Sequence, residues 1–218
     1  MVRFSCDVDI LKYEPILFGE LRLPGQIISA GTGRVLDGTR FTAANAEFVS
    51  ASVCSGEVIY LQSGDGLLDG AFEIVSVDSA TQLTVSVVRS DSSDEPIAPP
   101  AAADISYRIC TFGPQASEVG FQLTEYYGFS PGDAASDIDA EDILDREVLK
   151  RASVFAVIST VYATLADGVE NENFWKKSLY YKKLFEQARE RCRLNIDIGG
   201  DGKADVTRAG SIVRLARD

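Results

Sequence analysis

The chain has 218 residues, with 33 Asp and Glu against 21 Lys and Arg for a net charge of −12, and it contains no histidine. The missing imidazole removes the commonest general base, the usual partner of a Ser or Cys nucleophile and the commonest transition-metal ligand, which leaves only carboxylate, Lys or Tyr chemistry to an enzyme. With 45% hydrophobic residues and a mean hydropathy of +0.01, the composition is ordinary for a soluble globular protein with a buried core.

Met1 to Asp9 has no charged segment followed by an apolar one and carries Asp7 and Asp9 instead, so no secretory signal is expected. Ile10, Leu11, Ile16, Leu17 and Phe18 surround Pro15, which predicts a short helix with an Asp cap that stops or kinks near Tyr13 and Glu14. After Pro24-Gly25, short β-rich runs separated by Gly, Asp and Ser continue to about Phe112. The expected strands cover roughly residues 33–42, 57–62, 71–77, 82–89 and 105–112, with Leu83, Val85 and Val87 alternating against Thr84 and Ser86. Gly and Asp at residues 63–66 and 69–70, and a tight connection at 78–81, supply the reversals. About five short strands of this kind imply a small antiparallel β-barrel or sandwich. Residues 90–104, with Pro96, Pro99 and Pro100, have little to bury and predict an exposed, flexible loop.

A break at residues 128–137, including Pro131-Gly132, precedes a helical region. Ser136, Asp137 or Asp139 caps a predicted helix of about 27 residues that closes at Asp167-Gly168, with Glu141 and Asp142 in its first turn. Its stretch 152–166 is apolar or small on nearly every face, yet at 15 residues it falls short of the roughly 20 needed to span a membrane. Such a helix must be covered by its own fold or by a neighbouring subunit. A second helix over about 171–194 sets Phe174, Tyr181, Phe185, Ala188 and Cys192 on one stripe, flanked by Trp175, Leu179 and Leu184. Lys176, Lys177, Lys182, Lys183, Arg189, Arg191 and Arg193 make its other surface basic. A Gly-rich turn then leads into an extended tail, 206–218.

The expected architecture is therefore α+β: a helical core made of an N-terminal short helix and two longer C-terminal helices, with an inserted small β domain. The boundaries are an N-terminal segment 1–25 packing on the C-terminal helices, a β insertion 26–127, a helical domain 128–205 and the tail 206–218. Charge divides along the same axis. Residues 1–145 hold 7 Lys/Arg against 23 Asp/Glu, and residues 146–218 hold 14 against 10. An acidic front half opposes wrapping nucleic acid, whose affinity comes chiefly from phosphate neutralisation, while the basic end suits a partner's acidic surface. Cys6, Cys54, Cys110 and Cys192 form no C-x-x-C pair and read as free thiols in a reducing compartment.

The segment from Asn195 to Asp205 partly mimics an oxygen-rich calcium loop through Asp197, Asp201 and Asp205. Counting from Asp197, however, the third position is Gly199 and the twelfth Arg208, so a Gly/Asp turn is the reading. Gly31-Thr32-Gly33 lacks the third glycine and the helix of a dinucleotide site. Asp133, Asp137, Asp139, Glu141 and Asp142 are explained by a helix start. Phe174, Trp175, Tyr180, Tyr181 and Phe185 have the spacing of a packing face rather than of a base-stacking platform. No cofactor and no metal are expected.

The order of elements carries one resemblance. Asp7-Val-Asp-Ile-Leu-Lys-Tyr-Glu-Pro15, a β insertion, a helical pair ending in Phe174-Trp-Lys-Lys-Ser-Leu-Tyr-Tyr-Lys-Lys-Leu-Phe-Glu-Gln-Ala-Arg189 and a short extension resemble head-to-tail adaptor (connector) proteins of long-tailed bacteriophages. Residues 137–218 carry most of the likeness, and 26–127 looks like an elaboration that small helical adaptors lack. The resemblance implies a structural virion protein of the neck rather than an enzyme, assembled in the host cytoplasm. It implies a homo-oligomeric ring, a dodecamer, beneath the portal protein, handing on to a stopper or tail-terminator protein. DNA passes through the lumen without specific binding, and no membrane is involved. In such families the C-terminal segment reaches the portal, a role that falls here on Arg208, Ile212, Val213, Arg214, Leu215 and Arg217. Ring contacts need two different complementary surfaces, and Val154, Phe155, Val157, Ile158, Val161, Tyr162 and Leu165 are the expected subunit interface. Another structural virion protein, such as a tail-tip component, and a non-viral binding module are the rival readings; a strictly monomeric chain in light scattering favours the latter.

Overall fold

Alternating apolar and polar residues build six strands in the first half of the chain, and 3.6-residue periodicity builds helices in the second. A computed structural model describes residues 2–21, 23–133, 136, 138–166 and 172–210. They form an α+β chain of two units, one of Cys6–Phe112 and the other of Met1–Ser5 together with Gly113–Asp218.

In the first unit β1 (Ile27–Asp37), β2 (Arg40–Thr42), β3 (Val58–Ser63), β4 (Asp69–Ser79), β5 (Gln82–Ser86) and β6 (Ala102–Cys110) close into an antiparallel barrel in the order β1-β2-β5-β4-β3-β6, with β6 pairing back onto β1. Closure leaves no free sheet edge. Val35, Phe41, Phe48, Leu61, Ile74, Leu83, Val85, Ile105, Tyr107 and Ile109 fill the interior, so the barrel is a packed core and not a ligand cavity. The rings of Phe41 and Phe48 meet that of Tyr107 edge-on at 5.2 and 5.7 Å. The strand expected over 33–42 is two strands, because the chain reverses at Gly38. β1 also starts six residues earlier than expected, running through glycines that strand propensity disfavours. The reason is close approach: a Cβ on Gly33 would lie 2.7 Å from the Thr42 carbonyl oxygen and 2.5 Å from the Phe41 ring.

The loop after β5 is more constrained than its composition suggested. Arg89 and Glu73 are both buried, and the Arg89 guanidinium donates to both Glu73 oxygens at 2.6 and 3.2 Å and to the Ser92 carbonyl at 2.8 Å. The Ile97 N–H donates to Ser86 Oγ at 2.8 Å. Only residues 90–95 form a continuously exposed tip. Removing one partner of a buried, hydrogen-bonded ion pair strands the other charge in low dielectric. Arg89→Ala is therefore expected to cost about 3 kcal/mol in denaturant unfolding, and a loss below about 1 kcal/mol would show that the pair is not what holds this loop.

The helix α1 (Asp7–Leu11) is capped by Cys6 rather than by an aspartate, with the Cys6 N–H donating to Asp9 Oδ2 at 3.0 Å. A 3₁₀ turn follows at Pro15–Leu17. Asp7 accepts the Phe112 N–H at 2.9 Å, and Phe18 meets Phe112 edge-on at 5.2 Å, so the two ends of this unit are tied together. α1 lies against β3; the expected boundary at residue 25 falls inside the barrel unit.

The second unit holds α2 (Gly113–Tyr126), α3 (Lys150–Ala166), α4 (Glu172–Arg191) and a ribbon of β7 (Arg193–Ile196) and β8 (Val206–Ala209). α2 was not anticipated, although Pro114 at its start and buried Ala116, Val119, Gly120 and Leu123 carry the helical spacing. α3 starts later than expected, at Lys150 after a 3₁₀ turn Arg146–Leu149. Residues 142–145 instead pair with the ribbon, the Leu144 N–H donating to the Asn195 carbonyl and the Asp197 N–H to that of Asp142, both at 2.9 Å. The N-terminal segment runs along α2 and α3, where Arg3 Nε donates to Ser117 Oγ at 3.1 Å and Ser5 Oγ lies 2.8 Å from Ser153 Oγ. Gly120 admits this segment, since a Cβ there would sit 2.1 Å from the Val2 carbonyl oxygen. Gly120→Ala improves helix propensity yet is expected to destabilise the chain by more than about 2 kcal/mol through that overlap. A raised melting temperature for this variant would mean that the segment does not pack there.

Candidate interaction surface

Helix α3 is apolar on all sides, and its own chain covers it. Val154, Phe155, Val157, Ile158, Val161 and Tyr162 are between 0% and 3% exposed, with α4 packed along the helix and α2 across it. Small residues allow the close approach: Ser159 Oγ donates to the Ser178 carbonyl, and Ser178 Oγ to the Ser159 carbonyl, each at 2.9 Å. Tyr162 stacks on Tyr181 at 6.3 Å, and Lys177 Nζ donates to the Tyr162 hydroxyl at 2.9 Å. These six residues, expected as a subunit interface, are core; intramolecular packing has used the surface that a neighbour would have needed. Leu165 is half-buried. The helical stretch Arg146–Ala166, 21 residues with the 3₁₀ turn included, is long and apolar enough to cross a membrane, but the packing just described accounts for its composition as that of a core helix.

Large apolar side chains of this unit that remain exposed are Leu144, Val148 and Ile198 outside the long helices and, on α4, three within six residues. Ser178 and Tyr181 face inward, whereas Trp175, Leu179 and Tyr180 are 51%, 47% and 59% exposed. Trp175 and Leu179 stand one turn apart on the outer face, and Lys176, Lys182 and Lys183 surround them, all exposed. Lys176 pairs with Glu172 at 2.8 Å in the open, where such a bond contributes little. Trp175 and Leu179 share one side of this basic helix, and Tyr180 follows roughly 100° further round it.

The C-terminal ribbon continues from α4. Tyr127 donates its hydroxyl to the Arg189 carbonyl at 2.6 Å, and burial, with the Cys192 thiol nearby, pushes that hydroxyl's pKa above its ordinary value. Arg208, expected to face a portal, donates to the Tyr127 carbonyl at 2.8 Å and lies 4.9 Å over the Phe129 ring. It is a structural residue of the ribbon. Ile212, Val213, Arg214, Leu215 and Arg217 lie outside the described residues.

The loop after β7 is a backbone-capped turn. Asp197 accepts the N–H groups of Gly200, Asp201 and Gly202, and Asp205 those of Ile198 and Gly199, at 2.6 to 3.2 Å. Both carboxylates are thus satisfied by their own loop. Of the acids expected at a helix start, Asp139 and Asp142 brace a turn instead, Asp142 accepting the Asp139 N–H at 2.8 Å, while Asp137 lies outside the described residues. Among the described residues no group of three or more His, Cys, Asp or Glu is placed to hold a metal ion.

The barrel unit carries an open groove of about 710 Å³ whose lining includes the apolar Leu11, Pro15, Ile16, Ala71 and Val88, with Lys12, Arg89 and Glu20 also at its edges. One wall is fixed by Tyr60, over which the Arg108 guanidinium lies at 4.1 Å while donating to the Gly19 carbonyl at 2.9 Å.

No protein-family model, no curated protein and no solved structure matches this chain.

The core and the stripe make opposite demands on stability. Ile158→Ala deletes fully buried methyl groups and is expected to cost about 3 kcal/mol, whereas Leu179→Ser acts on a half-exposed residue and is expected to shift stability by less than about 0.5 kcal/mol. Equal losses in thermal unfolding would mean that the α4 stripe is part of the core.

Proposed function

We propose that this chain is a structural subunit whose activity is assembly: a head-to-tail adaptor that forms a ring beneath the portal of a tailed bacteriophage and links it to the next neck protein around the DNA channel. The carrying observation is the exposure of Trp175, Leu179 and Tyr180 beside lysines on the outer side of α4, while the apolar faces of α3 are buried within the same unit. Surface of that kind is stabilised by burial against another protein chain. The order of elements that resembles adaptor proteins, a short helix, a β insertion, a helical pair and a C-terminal extension, supports the same reading. The unequal charge of the two halves supplies the two complementary surfaces that a rotationally closed ring requires. In this reading acidic residues face the lumen, where like charge keeps passing DNA from adhering. The C-terminal segment beyond the ribbon docks on the portal through Ile212, Val213, Arg214, Leu215 and Arg217, and Arg208 anchors the base of that segment.

The test is electron microscopy of the purified chain mixed with portal rings from the same phage. The intact chain is expected to add a ring of density to the portal, and a chain truncated after Ser211 to keep its fold by circular dichroism while losing that density. Decoration by the truncated chain would remove the tail from the docking role, and an intact chain that stays monomeric and ignores portal rings would remove the adaptor reading.

A further inference from the structure

The helical unit exposes a projection and the barrel unit a recess, and their chemistry is complementary. On α4, Trp175 and Leu179 stand out from a helix with 6 Lys/Arg against 3 Asp/Glu. On the barrel unit, Cys6–Phe112, with 6 Lys/Arg against 15 Asp/Glu, the open groove presents Leu11, Pro15, Ile16, Ala71 and Val88. Of the two cations in its lining, Arg89 is neutralised by Glu73, and Lys12 keeps its charge while donating to the Ser90 carbonyl at 3.2 Å. Glu20 remains at the rim. The groove's volume is in the range that encloses a bulky side chain and its neighbours.

We infer that Trp175 and Leu179 of one copy seat in the barrel-unit groove of a second copy, with Lys176 and Lys183 beside that copy's Glu20 and the net negative charge of its barrel unit. Two different surfaces of one chain then meet head to tail, the arrangement that propagates around a ring and leaves each copy with one projection and one recess in use. The indole is the anchor, an aromatic side chain entering a preformed apolar recess, and the charges around it orient the approach and make it sensitive to salt. A single-stranded nucleic acid is the less favoured occupant of the stripe, because a partner presenting both apolar groove and negative charge accounts for Leu179 as well as for the lysines. The inference rests on the ring reading above and specifies its subunit contact.

A photo-reactive benzoyl-phenylalanine in place of Trp175, in an equimolar mixture of isotope-labelled and unlabelled full-length chains on portal rings, tests the contact by mass spectrometry. Cross-links between differently labelled chains to peptides containing residues 11–20, 70–71 or 88–90 are expected. Trp175→Ser with Leu179→Ser, and separately Ile16→Glu in the groove, are each expected to weaken copy-to-copy association at least tenfold in sedimentation, with melting temperature unchanged. Inter-chain cross-links confined to other peptides, or wild-type association in both variants, would overturn the contact while leaving the ring intact; an absence of rings and inter-chain cross-links together would sink both readings. Tight binding of single-stranded oligonucleotide that Trp175→Ser abolishes would reassign the stripe to nucleic acid.

Discussion

The packing of α3 inside its own unit governs what the rest of the molecule can do. A helix with Val, Phe, Ile and Tyr on every face cannot meet water, and two coverings would serve it equally well on energetic grounds, a neighbouring subunit or the same chain. Here α4 and α2 supply the cover, and paired Ser159 and Ser178 let the α3 and α4 backbones approach closely. Once that choice is made, α4 is spent on its inner side and free on its outer side. On that outer side Trp175, Leu179 and Tyr180 are left exposed.

The barrel unit solves the equivalent problem in another way. Six strands with one apolar face each would leave two edges open to uncontrolled pairing; closure of β6 onto β1 satisfies both ladders and fills the interior with side chains. Its capacity for recognition consequently lies outside the strands, in the groove between the N-terminal helical turns and the outer surface of the barrel. The buried Arg89 and Glu73 keep the loop beside that groove in one conformation. A polar interaction of this kind contributes less to net stability than to uniqueness, because any alternative arrangement leaves a charge without its partner.

In the proposed ring, the two units act by fitting other copies. Each presents one feature with packed support: exposed α4 residues over the buried faces of α3, and a groove with walls tied by the Arg89–Glu73 pair and the Arg108 bond to Gly19. Rigid, preorganised surfaces lose little entropy on association, so modest apolar contact suffices when it is repeated from copy to copy.

Sequence alone determined the α+β class, the barrel-or-sandwich character of residues 27–110, the existence of the last two helices and the turn at residues 197–205. Each of these rests on local physics: period-two or period-3.6 patterning, and short polar side chains that bond their own backbone. Tertiary structure decided the rest. Gly31 and Gly33 count against a strand until Phe41 and Tyr107 are seen to cover them, and Gly120 counts against α2 until the N-terminal segment is seen to pass over it. Residues 142–145 satisfy helical patterning but find better partners in Asn195 and Asp197. The side of α4 that faces outward, and the covering of α3 by its own chain, depend on which apolar faces meet. Periodicity reports that a face needs burial and carries no information about what will bury it.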